Sequence, residues 1–180
     1  MKPSRLKTMK ALISLTIALG VLSLNCSSPA LIDSKAQTSL ASEKPSSENS
    51  GQILPISARA VVGGEEIGLE VAKTPQQQAL GLMYRTDLPG NRGMLFTFDP
   101  PRSARFWMEN TLITLDMIFL RDGKIQAIAA NVPPCTAAPC PTYGPLQTLI
   151  DQVIELRGGR ASELGLKVGD RLQVEFLNPP

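Results

Sequence analysis

The side chains best equipped for chemistry lie in or beside one aromatic-rich stretch. They are Arg85, Arg105, Trp107, Glu109, Asn110, Thr111, Asp116 and Tyr143. If Arg85 and Asp116 converge beside Trp107, they form a recess for a small polar ligand, with the guanidinium forking onto a carboxylate or phosphate. A sugar can instead stack on the indole face. Asp116 and Glu109 offer the acid and base of a carboxylate-dependent hydrolase, provided both face one cleft. The same residues have an architectural reading. Arg85 can neutralise Asp116 inside the fold, Asn110 and Thr111 can cap turn amides, and Trp107 can be a core ring bonded to a carbonyl. The ligand-binding set carried forward is Arg85, Trp107, Asn110, Thr111, Asp116 and Tyr143, with no catalytic residue assigned.

Composition removes several classes of function. The chain has no histidine, so Ser-His-Asp hydrolysis, Cys-His chemistry and the usual zinc sites are excluded within it. No metal or cofactor is expected. From residue 51 onward there are 12 Lys and Arg against 13 Asp and Glu. A nucleic-acid surface needs a clustered basic footprint, which this balance does not supply.

The candidates must be positioned by the run Gly93 to Leu120, which holds four of the five phenylalanines and the one tryptophan. It divides into three strand-like runs. Met94, Phe96 and Phe98 alternate with Leu95 and Thr97, the period of a strand with one apolar face. Asp99-Pro100-Pro101-Arg102 interrupts the ladder, because proline has no amide to donate. From Ser103 the alternation resumes, with Ala104, Phe106 and Met108 on one side. Thr114 to Leu120 is apolar on both faces except at Asp116, whose carboxylate therefore needs a partner or close donors. The phenylalanines read as core, and Met83, Met94, Met108 and Met117 as gap-fillers between them.

Flanking segments complete the inventory. Ala58–Val62 and Glu66–Lys73 are strands joined by a Gly63-Gly64 hairpin. Thr74-Pro75 opens a helix, Thr as N-cap and Pro at the first position. Lys124–Ala130, Ile150–Leu156 and a last strand through Leu172, Val174 and Phe176 follow, with a short helix at Ser162–Leu166. Tight turns link most strands, so the expected class is α+β, mainly β. The expected form is a compact antiparallel or mixed sheet forming a partly closed barrel or sandwich, with two short helices.

The N-terminus reads as an export signal over residues 1–26: a basic start to Lys10, then an apolar run too short to span a bilayer comfortably. Its end, Leu-Ser-Leu-Asn-Cys26, resembles the lipobox of bacterial lipoproteins, with Asn25 where a smaller residue is usual. The resemblance implies lipidation of Cys26 and an exported, membrane-anchored lipoprotein facing the periplasm or cell exterior. Residues 27–52, rich in Ser, Ala, Lys and Glu, have the composition of a flexible tether. The domain proper is placed at 53–180. Cys135 and Cys140, inside a proline-rich loop of an exported chain, are expected to form a disulfide.

Four blocks carry a family resemblance: Gly81-Leu82-Met83-x-Arg85, Gly93-Met94-Leu95-Phe96-x-Phe98, Phe106-Trp107-Met108-x-Asn110-Thr111, and Leu115-Asp116-x-Ile118-Phe119. Together they resemble the bacterial and archaeal DUF192 family over about residues 55 to 178. The resemblance implies a small β-rich domain, often exported or membrane-attached, with no established biochemical activity. The expected function is a non-catalytic binding or accessory module of the cell envelope for a small polar ligand, glycan or partner protein. The alternative is the hydrolase of Asp116 and Glu109.

Overall fold

The computed structural model describes residues 51–177. The expected signal segment, Cys26 and most of the tether lie outside the described residues.

Two strands, β1 (Ile56–Val62) and β2 (Glu65–Ala72), form the antiparallel hairpin turned by Gly63-Gly64. Helix α1 (Pro75–Leu80) then begins at a complete capping box. The Thr74 hydroxyl accepts from the Gln77 amide, and the Gln77 side chain accepts from the Thr74 amide. The connection through α1 lets β3 (Arg92–Arg102) return parallel to β2, as a parallel pair requires. β4 (Phe106–Trp107), β5 (Leu115–Arg121), β6 (Lys124–Val132), β7 (Thr142–Tyr143) and β8 (Ile150–Arg157) follow. The short helix α2 (Arg160–Glu163) and β9 (Val174–Phe176) finish the domain.

Seven strands make one mixed sheet in the order β6-β5-β8-β3-β2-β1-β9, while β4 and β7 form a separate ribbon. The ribbon packs on one face of the sheet, where Phe106 meets Phe96 and Phe119 edge-on at 4.9 and 6.0 Å. This layering is sandwich-like. The sheet does not close into a barrel, although the segment before β9 crosses to the other edge and pairs once, at Arg171 with Lys124.

Both faces of the central strands are buried, which is why β5 reads as apolar on both sides. Met94, Phe96, Met117, Phe119 and Val153 belong to the cluster under the ribbon and α1. Leu95, Ile118, Leu120, Ile154 and Leu156 belong to the cluster on the opposite face. Two expectations change in detail. β3 continues through the two prolines, with its ladder to β8 interrupted between Thr97 and Arg102. The run Ser103–Met108 keeps its alternation, with Ala104 and Met108 buried and Trp107 exposed, yet it supplies only the two-residue β4 outside the main sheet. Strand periodicity sets which side faces the core; it does not say which sheet a strand joins.

The ribbon is held close. Arg105 donates to the Thr142 carbonyl and hydroxyl oxygens, both at 2.6 Å, and to the Gly144 carbonyl at 3.1 Å. Gly144 has φ 129, and a Cβ there would strike the Ala104 carbonyl and sit 3.0 Å from the Phe119 ring. Only glycine allows that approach. The disulfide Cys135–Cys140 is formed, with Cα atoms 5.7 Å apart.

Candidate functional site

Asp116 is fully buried, and its partners are backbone amides rather than Arg85. One oxygen accepts from Asn131 at 2.7 Å and Gly159 at 3.1 Å; the other accepts from Ala161 at 2.7 Å. The carboxylate thereby starts α2 from a strand more than forty residues away. That explains why the helix begins at Arg160, earlier than the local sequence suggests, with no side-chain cap from its own N-cap residue Gly159. Arg85 and Asp116 do not converge. The Arg85 guanidinium instead grips Glu70 with both terminal nitrogens, one at 2.9 Å, and its Nε donates to the Gln52 carbonyl at 2.8 Å. Both side chains of this pair are about nine-tenths buried. Gln52, placed by composition at the end of the tether, also donates to the Gln77 and Gly81 carbonyls.

Asn110 is an exposed turn residue with φ 54, a conformation asparagine tolerates better than most. Its carbonyl accepts from the Tyr84 amide at 2.8 Å, which joins the first and third motif blocks. Tyr143 stands opposite Phe106 in the ribbon and packs on the core. Glu109 is exposed in the turn after β4.

Trp107 and Thr111 do share a site. They line a cavity of about 530 Å³ between α1, the end of β3 and the ribbon. That volume lies in the range of small-molecule sites, roughly 300–1,000 Å³. The walls are apolar and aromatic: Leu80, Leu82, Met83, Phe96, Phe98 and Phe106. Gly81, with φ 48, closes α1 and brings the chain to within 3.5 Å of Phe96 measured from an added Cβ. Gln78 pins α1 over the cavity by donating to the Thr97 carbonyl at 3.2 Å. Arg102 and Arg105 stand exposed at the rim beside Trp107, which is 51% exposed and therefore no core ring.

The third charged lining group, after Arg102 and Arg105, is Glu155, which is not among the residues singled out from the sequence. It lies in β8 between Met94 of β3 and Met117 of β5, on the same face as both. It is 4% exposed, and burial acts on its carboxyl with no protein hydrogen bond to set against it among the described residues. Burial pushes its pKa up from 4.5 to about 8, since a charge without a partner is disfavoured away from water. A carboxyl in this state can take a donor or a cation from outside. Among the described residues no three His, Cys, Asp or Glu side chains cluster as a metal site.

Fold and site thus define a small mixed-sheet domain with a ligand-sized cavity roofed by a helix and a two-stranded ribbon. The chain belongs to the DUF192 family, described as an uncharacterized ACR, whose model matches residues 58–174. Two solved structures are similar. A protein of unknown function from Novosphingobium aromaticivorans is 37% identical with a TM-score of 0.57, over 65% of this chain and 83% of that one. A protein from Sinorhizobium meliloti, described as a proposed transcription regulator, is 32% identical with a TM-score of 0.59, over 69% of this chain and 98% of that one. No curated protein matches the chain.

Proposed function

We propose that this protein is a non-catalytic binding module of the cell envelope that takes a small polar ligand with an apolar body into the cavity beneath Trp107. The observation that carries this reading is Glu155, a buried carboxyl with no protein partner facing a cavity of ligand size. Leaving a polar group unpaired costs about 1–3 kcal/mol, and a ligand that pairs it recovers part of that cost. Of the sequence candidates, Trp107 and Thr111 line this site. Arg85, Asp116, Asn110 and Tyr143 do not line the cavity; their contacts are with other parts of the fold.

The hydrolase reading needs two carboxylates facing one cleft. Asp116 spends both oxygens on amides, and Glu109 is exposed in a turn outside the cavity lining. A nucleic-acid role, suggested by the description of the Sinorhizobium protein, finds no support in the near-neutral charge of residues 51–180.

The export signal, the lipidated Cys26 and the tether complete the proposal: they would hold the module at a membrane surface outside the cytoplasm. Mass spectrometry of the mature N-terminus should find a diacylated or triacylated Cys26. For binding, a small-molecule screen by thermal shift on the purified protein should raise the Tm by mass action and change Trp107 fluorescence, the chain having no other tryptophan. A screen in which nothing moves either signal would overturn the reading.

A further inference from the structure

The cavity has a polarity. Its buried end carries one carboxyl, Glu155, while its exposed rim carries two guanidinium groups, Arg102 and Arg105. Between them stand aromatic rings. Arg102 already lies over the Phe98 ring at 4.2 Å, so this aromatic wall holds a cation in the free protein. The Arg105 guanidinium is committed to Thr142 and Gly144, whereas the Arg102 guanidinium has the Phe98 ring and no hydrogen-bond acceptor among the described residues. A lone anion would meet Glu155 on entering, and a simple cation would have to pass the arginines.

We propose that the cavity binds a small zwitterion, with its ammonium group inward against Glu155 and the phenylalanine rings and its acidic group on Arg102 at the rim. The proposal rests on the binding reading above and specifies its ligand. An alkylated ammonium suits the site because it offers charge to the carboxylate and an apolar surface to Phe96 and Phe106 together. Aromatic walls beside a buried acid recognise such groups by ring-quadrupole attraction as well as by charge. A merely neutral donor would leave Arg102 with nothing to hold.

The test is a matched set of probes titrated into the purified protein, read by Trp107 fluorescence and calorimetry: phosphocholine, choline, its uncharged isostere 3,3-dimethylbutan-1-ol, and inorganic phosphate. Phosphocholine should bind tightest, and choline at least tenfold tighter than the isostere at pH 8.5. Glu155→Gln should abolish the preference for choline while the isostere still binds, which shows the cavity intact. Arg102→Gln should remove the advantage of phosphocholine over choline without weakening choline.

Choline affinity should also rise with pH, by up to tenfold per unit between pH 6 and 8, because Glu155 must give up its proton to meet the cation. The other charged groups lining the cavity are Arg102 and Arg105. α1 contributes no ionisable side chain to the lining, and the flanking strands place Met94 and Met117 beside Glu155. Equal binding of choline and its isostere, phosphate binding without a choline preference, or affinity falling as pH rises would overturn the proposal. In the last case Glu155 would be acting as a neutral donor. Any of these results leaves the binding reading standing. Silence from all four probes, with other compounds moving Trp107, also removes only the zwitterion; silence from every compound removes both.

Discussion

Asp116 and Glu155 are neighbours in one sheet and opposites in circumstance. Both are buried acids in adjacent strands, β5 and β8, with doubly covered surroundings. They point to opposite faces. Asp116 faces the side of α2, where three amides converge on its two oxygens. Glu155 faces the ribbon and α1 and meets a cavity. The first makes the protein's shape: its charge is repaid by donors that would otherwise be orphans at a helix start. The second is a cost the fold carries, and such unpaid costs concentrate where ligands bind. Glu70 stands between these extremes, buried and paired with one cation, Arg85, plus the Leu54 amide at 2.7 Å.

The sharpest way to break this comparison is to remove the satisfied acid. Asp116→Ala strands the amides of Asn131, Gly159 and Ala161 in the interior, at about 1–3 kcal/mol for each donor not rescued by water. We expect a loss of roughly 4–6 kcal/mol, close to the whole stability of a small domain. Chemical denaturation of the variant measures it. A loss below about 1 kcal/mol would mean that Asp116 is no more structural than Glu155.

The intermediate case should give the intermediate loss. Arg85→Met removes the cation from Glu70 and leaves a buried carboxylate with one amide donor, an arrangement that costs about 3–5 kcal/mol. Arg85 also ties Gln52 to the domain, so protease sensitivity before Ile53 should rise in this variant. If Glu70→Gln combined with Arg85→Met recovers most of the loss, the cost lay in the stranded charge rather than in lost packing.

How much of this was legible in the sequence depends on whether the decisive contact is local. The Thr74 N-cap, the Gly63-Gly64 hairpin and the doubly buried β5 follow from short-range pattern, and the structure has them. The demand that Asp116 find donors was also readable. Its donors were not, because they come from β6 and the start of α2, and nothing local says which amides a fold will bring together. Pairing Asp116 with Arg85 assumed that opposite charges in motif blocks seek each other, whereas Arg85 found Glu70 in β2. Glu155 was within reach. It sits among Val153, Ile154 and Leu156 as Asp116 sits among Leu115, Met117 and Ile118, so the same question about a carboxylate in a doubly apolar strand applied to both. The cavity itself was not readable, since it arises where α1, β3 and a two-residue ribbon meet.

The smallest expected effect has the opposite sign and sharpens the comparison most. In the folded state burial raises the Glu155 pKa from 4.5 to about 8, so the native protein holds a proton that the unfolded chain has released. Stability from this group is therefore fully present below about pH 4.5 and is lost as pH rises to about 8. The ceiling on that loss is on the order of 5 kcal/mol, and water entering the open cavity screens part of it. Glu155→Gln keeps the shape and removes the titration. It should stabilise the protein by about 2–3 kcal/mol at pH 8 and leave it nearly unchanged at pH 4.5, as read from denaturation midpoints across that range. Asp116→Asn should destabilise at both pH values, because an amide nitrogen replaces an acceptor oxygen that backbone donors already use. Parallel pH profiles for the native protein and Glu155→Gln would show that Glu155 finds a partner in solution, and the contrast between the two acids would then fail at its free end.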